Sequence, residues 1–226
     1  QRVRRSARLD SLGHRMMKDI IKDILEMPYY RNYAAGTGKV HNVANHENAV
    51  EDILVNHGLS AVERKVTKAE RDAWLDGKAD DLQDGTYLSQ PCGTHNSPDF
   101  IIKQSGKLYF VECKSVKKGG TPVYNSGLPK ENYIYVFSSK KYDQTTVYLG
   151  RDVVDSGVLK VLKDMEQKIK DLCHDTTQKL REVVENTHGM GIYARSMFNH
   201  YGSKDKTDYF HNSRRRELEQ NVLDFV

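Results

Sequence analysis

The sequence predicts an α/β chain, and three observations predict it. Apolar residues recur at helical spacing near the start (Leu9, Leu12, Met16, Ile20, Ile24) and again at Val158, Leu162, Met165, Ile169 and Leu172. Between these stripes, from Pro98 onward, the period changes from helical to extended. One extended run, Tyr133 to Ser139, is almost continuously apolar, as a strand in the buried middle of a sheet must be.

The elements follow in order. The first stripe predicts an amphipathic helix over about residues 10–27, ended by Pro28. Residues 28–44, with three tyrosines and two glycines, read as loop. A second helix is expected from Asn45, a suitable N-cap, through Val50, Ile53 and Leu54 to His57, stopped by Gly58. Residues 67–77 suit a short polar helix or helical turn. Asp99 to Gln104 and Lys107 to Ser115 are β-rich runs joined by Ser105-Gly106, a hairpin signal. Tyr133–Ser139 and Thr145–Val154 supply two more strands. The Val158–Leu172 stripe predicts a helix reaching Glu185, its apolar face covered by core or by a dimer partner; two heptads are short for a coiled coil. A short helix closes the chain over Arg214–Phe225.

At 226 residues, with 38% hydrophobic and 29% charged side chains, the chain suits one domain, 1–226. No apolar run approaches the roughly 20 residues of a membrane-spanning helix. Three scattered cysteines, Cys92, Cys113 and Cys173, argue for a reducing, cytoplasmic setting and against a disulfide framework or a zinc module. Gln1 is no initiator and the Arg-rich opening lacks the apolar core of a secretory signal, so a trimmed chain without export is expected.

The net charge of +4 is mild, but it is unevenly placed. Residues 1–8 carry four Arg and no acid; residues 103–141 carry eight Lys against Glu112 and Glu131; residues 195–216 add a further excess of four. Clustered base is the footprint of a phosphate-backbone binder, although such runs are also ordinary solvated faces. A basic N-terminal arm (1–9) and a basic C-terminal segment (186–226) are therefore candidate DNA-contacting extensions.

Chemistry concentrates in the hairpin. In Phe110-Val111-Glu112-Cys113-Lys114 strand alternation sets Glu112 and Lys114 on one face and Cys113 on the other. Asp99, opening the partner strand, sits across from them in an ordinary hairpin. Two carboxylates and an ammonium amid apolar neighbours are costly to hold together, and hard oxygen ligands suit Mg²⁺. The alternative is an edge-strand salt bridge among the same residues.

With Pro98-Asp99 followed by Glu112-Cys113-Lys114, residues 98–139 resemble the PD-(D/E)XK nuclease superfamily, most nearly a type II restriction endonuclease. The resemblance implies a central mixed β-sheet flanked by helices. It implies Mg²⁺, replaceable by Mn²⁺, held by Asp99, Glu112 and the Cys113 carbonyl, with Lys114 beside the attacking water. It also implies double-stranded DNA as substrate, 5′-phosphate and 3′-hydroxyl products, a homodimer, and a cognate DNA methyltransferase in the same system. Glu47 is a further metal candidate, as such folds often lend a helical Glu; otherwise it is a first-turn acid favoured by the helix dipole. A resolvase-like or repair nuclease, or an inactive DNA-binding protein, are the rivals.

The loop after Lys114 resembles the one restriction enzymes place in a DNA groove. Lys117, Lys118 and Lys130 suit phosphates, Asn125 an adenine edge, Tyr124 stacking or packing, and Ser126 completes the set. Arg214, Arg215 and Arg216, with Lys204 and Lys206, form a second candidate contact. Three lookalikes fail on their residues: Gly191-Ile192-Tyr193 lacks its second half, Gly36-Thr37-Gly38-Lys39 lacks the Ser/Thr of a phosphate loop, and nine histidines lack paired cysteines. His95, four residues before Asp99, is the one histidine worth following.

Overall fold

The structure, a computed structural model, describes residues 2–29, 46–94, 96–125, 127–183, 190–194, 196–200 and 208–226, with backbone alone for residues 2–12. Ser126, His95, Lys204, Lys206, Asn45 and the 36–39 lookalike lie outside the described residues. No helix among those described is long and apolar enough to cross a membrane.

Helix α1 (Arg2–Leu25) opens the chain, followed by α2 (His46–Asn56), β1 (Ser60–Ala61), α3 (Lys68–Leu75), β2 (Thr86–Ser89), β3 (Phe100–Gln104) and β4 (Lys107–Val116). After these come β5 (Val123–Tyr124), β6 (Tyr133–Ser139), β7 (Gln144–Leu149), α4 (Gly150–Val153), α5 (Ser156–Val183), β8 (Phe198–Asn199) and α6 (Arg215–Phe225). Six strands form one mixed sheet in the order β1-β2-β3-β4-β6-β7, and β5 pairs with β8 in a separate ribbon. The β1–β2 and β4–β6 pairs are parallel and the rest of the sheet is antiparallel. This is the α/β fold with a central mixed sheet flanked by helices that the sequence predicts.

Alternation along β6 explains its apolar run. Ile134 and Val136 face a helical layer with Met17, Ile20, Ile24, Val50, Leu54 and Val222, whereas Tyr133, Tyr135 and Phe137 face an aromatic layer with Phe110, Trp74, Tyr148 and Tyr209. Both faces are buried, so no position along β6 is left polar except its terminal serines. The β3–β4 turn has Ser105 and Gly106 both at positive φ (52° and 73°), the backbone a two-residue hairpin requires. Helix α1 crosses this turn at Gly13, where a Cβ would lie 1.5 Å from Ser105 Oγ, so only glycine lets the helix approach.

Several expectations need correction. The first helix, expected over 10–27, begins at Arg2 and takes in most of the basic segment 1–9, because Arg, Ala and Leu favour helix and no Gly or Pro interrupts them. The strand expected to run to Val154 ends at Leu149 and gives way to α4. Gly150 lets the chain pass close to the Lys130 carbonyl oxygen at this junction, where a Cβ would lie 2.0 Å away. The C-terminal segment is not an extension from Asp208 on: Tyr209, Phe210, Leu218, Val222 and Val226 are buried in the two core layers. Strands β1 and β2 carry too few alternating residues to be recognised in the sequence. Finally, α5 runs 28 residues, about 42 Å, yet only Leu159 is buried; Val158, Met165, Ile169 and Leu172 stand exposed. That removes the core as the cover of its stripe.

Candidate active site

The site forms where β4 outruns its neighbour. β3 begins at Phe100, paired with Val111, and the last main-chain bond on that side runs from the Asp99 amide to the Val111 carbonyl at 3.0 Å. Past this point the β3-facing side of β4 has no strand to satisfy it, and buried amides and carbonyls must find partners. Side chains supply them. Asp99 Oδ2 accepts the Cys113 amide at 2.7 Å, and the His46 ring, at the start of α2, donates to the Cys113 carbonyl.

The opposite alternation places Glu112 and Lys114 together, as expected. Lys114 Nζ donates to Glu112 Oε1 at 2.6 Å, with side chains only 11% and 5% exposed. The second Glu112 oxygen, Oε2, is buried without a hydrogen-bond partner. Cys113 faces the helical layer; burial, reinforced by the nearby carboxylates, pushes its thiol well above the ordinary range, so its sulfur is inert.

Gln90 completes the arrangement. Its Nε2 donates to Asp99 Oδ1 and to Glu47 Oε2, each at 2.8 Å. The residue has a φ of 47°, a conformation that costs a non-glycine residue on the order of 1 kcal/mol or more and tends to mark functional sites. It is held there by the Gln90 amide donating to the Asp99 carbonyl at 2.7 Å. Burial, then the charges of Glu112 and Glu47, raise the Asp99 carboxyl to about 7.

These groups line a cleft of about 460 Å³ that includes His46, Glu47, Asp99, Glu112, Lys114 and Lys118. Three carboxylates share it with the ammoniums of Lys114 and Lys118, and Glu112 Oε2, Gln90 Oε1 and His46 Nε2 are buried without partners. No group of three or more His, Cys, Asp or Glu side chains among the described residues is placed to hold a metal ion. Mg²⁺ needs none: it binds through one or two carboxylates, keeping waters and taking phosphate oxygens. The surplus of negative charge and the orphaned oxygen of Glu112 fit such an ion.

The predicted DNA-contacting residues divide. Lys118 is exposed at the cleft and Lys117 is exposed beside it. Asn125 borders the cleft, but its Oδ1 accepts from Lys114 Nζ at 3.3 Å, so it steadies the lysine. Tyr124 cannot stack on a base: it is 2% exposed, with its hydroxyl 3.0 Å from that of Tyr148 in the aromatic layer. Lys130 lines a different cavity. The arginine run is not gathered at the cleft either. Arg214 is doubly bonded to Glu217, Arg215 binds Glu219 and Gln144 over the Phe210 ring, and Arg216 is exposed. Helix formation turns that charge run into i,i+3 and i,i+4 pairs.

Gln90 and His46 were not marked as site residues by the sequence. Neither belongs to a periodic pattern, and only the strand end after Ser89 and the helix start at His46 bring them in. Comparisons with protein-family models, with curated proteins and with solved structures return no match.

Proposed function

We propose that the chain is a Mg²⁺-dependent endonuclease of double-stranded DNA with PD-(D/E)XK-type chemistry. The observation that carries this reading is the buried Lys114–Glu112 pair beside Asp99, where β4 outruns β3, with one Glu112 oxygen left without a partner. Asp99 and Glu112 would hold the ion, with Glu47 and the Cys113 carbonyl bordering it, and Mn²⁺ would substitute. When bound, the ion would supply polarisation of the scissile phosphate and a lowered pKa for water.

The chain's own groups do the rest. Lys114 places a positive charge where the attacking oxygen loses its proton and where negative charge grows on the phosphate. Asn125 and Glu112 hold that ammonium from two sides. Gln90 fixes the separation of Asp99 and Glu47, and His46 fixes the β4 backbone at Cys113. The product ends, 5′-phosphate and 3′-hydroxyl, are those the resemblance implies.

Cutting both strands of a palindromic site calls for two such sites about a two-fold axis. The exposed stripe of α5 supports a homodimer, and three free cysteines support a cytoplasmic setting. A restriction role further implies a partner methyltransferase. One observation favours a second reading with the same chemistry, a structure-specific nuclease: with Tyr124 buried and Asn125 engaged by Lys114, the described loop offers few free base-reading groups. Incubation with plasmid DNA and Mg²⁺, followed by sequencing of the ends, separates these. Uniform ends mean sequence reading and cutting only at branched DNA means structure reading. Absence of cleavage with Mg²⁺ or Mn²⁺ on linear, supercoiled and branched DNA overturns the nuclease.

A further inference from the structure

A second polar cavity, of about 510 Å³, lies beside the catalytic cleft and shares Asn96 with it. Its walls come from α3, the 96–97 and 127–132 segments and α5, and they carry Lys68, Arg71, Lys130, Lys163 and Lys170 against Asp76, Glu131 and Glu166. Two of these cations are matched. Arg71 binds Asp72 through Nε and Nη2, at 2.9 and 2.7 Å, and Lys170 lies 3.5 Å from Glu166. Lys68, Lys130 and Lys163 make no side-chain hydrogen bond or ion pair with another described residue.

Lys130 is the telling one. Its side chain is half-buried; burial, then the charge of Arg71, lowers its pKa, with Lys163 adding to this and Asp72 and Glu166 acting against it. Five cations line the cavity against three acids, so a partly desolvated ammonium there still gains from an added anion. Arg71 ties this cavity to the cleft, since its Nη1 donates to the Ser97 carbonyl at 2.8 Å, two residues before Asp99.

We propose that this cavity is a phosphate-binding site, distinct from the catalytic cleft, in which Lys130, Lys163 and Lys68 receive one phosphate group. The site stands on its own charges. Its assignment to a DNA backbone phosphate flanking the one being cut rests on the nuclease reading, and the same chemistry would hold a free phosphorylated small molecule.

The test pairs a short DNA duplex, titrated by fluorescence anisotropy without divalent metal, with inorganic phosphate followed by thermal melting. Lys130→Ala combined with Lys163→Ala is expected to weaken the duplex about tenfold or more and to flatten the salt dependence by about two charges, while the paired Arg substitutions keep both. Phosphate is expected to raise the Tm of the wild type and not of the Ala variant. Lys130→Met is expected to melt no lower than wild type, because it removes a half-buried cation that burial and Arg71 disfavour. A lower Tm, or duplex and phosphate binding unchanged in the Ala variant, overturns the proposal. If phosphate protection depends on Lys130 but no duplex binds, the phosphate site stands, its ligand is a free phosphorylated molecule, and the nuclease reading falls. If the duplex binds equally to both proteins, the nuclease reading survives and this cavity is not its contact.

Discussion

Gln90 Nε2 lies 2.8 Å from Asp99 Oδ1 and 2.8 Å from Glu47 Oε2, so one side-chain amide joins an acid at the head of β3 to an acid in the first turn of α2. Without it the two carboxylates would lose the side-chain amide that bonds both of them. Gln90→Ala is therefore expected to lower activity or metal affinity by about 10–100-fold with little loss of fold. Isothermal titration of Mn²⁺ checks this, and an unchanged affinity together with unchanged turnover removes Gln90 from the site.

Lys114 and Glu112 form a buried pair, so deleting one member leaves the other uncompensated. Lys114→Met is expected to cost about 3 kcal/mol in the metal-free protein, part of it recovered on adding Mg²⁺, and to reduce cleavage by about 10²–10⁴-fold. Chemical denaturation with and without the ion gives the first quantity and plasmid nicking the second. A variant that cleaves like wild type would falsify the assignment of Lys114.

The pH dependence of stability separates two neighbours. Asp99 holds its proton up to about 7 when folded against an ordinary 3.8, so between those values the native state carries the extra proton and stability falls as pH rises. His46 titrates at about 4 when folded against an ordinary 6.5, chiefly through burial, so there the unfolded chain carries the extra proton and stability rises with pH. The two slopes oppose each other in metal-free wild type. Relative to it, His46→Gln should lose stability on going from about pH 4 to 6.5, and Asp99→Asn should gain it from about pH 4 to 7, with a limit of about 1.4 kcal/mol per pH unit for one proton. Parallel curves for all three proteins would contradict both assignments.

Met165 and Ile169 stand 56% and 36% exposed on the outer face of α5. If that face pairs with a second copy, Met165→Glu with Ile169→Glu yields a monomer that keeps its melting behaviour. Sedimentation velocity decides: a wild type already monomeric at micromolar concentration counts against the dimer. Leu159→Ala, by contrast, empties a buried position and should cost about 2–5 kcal/mol.

Gly150 sits against the Lys130 carbonyl, at the junction of β7 and α4. Gly150→Ala is expected to destabilise by about 1–3 kcal/mol through overpacking, and to displace the segment that presents Lys130. Thermal melting measures the first effect; a neutral result would mean the 130–131 backbone yields freely.

Strand alternation is a local rule, which is why Glu112, Lys114 and the hairpin turn were legible in the sequence: ten consecutive residues contain the information. The helices α2 and α5 were legible for the same reason, each carrying its own apolar stripe. Gln90 and His46 were not, because each acts through a partner more than 8 residues away and belongs to no period. The burial of Tyr124 depends on Tyr148 and Tyr209, which only the folded sheet brings near. The arginine run misled because pairing with Glu217 and Glu219 requires the helix to exist first.

The alternation along β4 has one more consequence. A slip of one residue in that strand would turn Glu112 and Lys114 toward Met17 and Val50 and bring the Cys113 thiol into the cleft. Charged groups would then enter the driest layer of the protein, so a misregistered chain would fail to fold before it could act. Under the proposed chemistry, each cut would certify the alignment of the strand that made it.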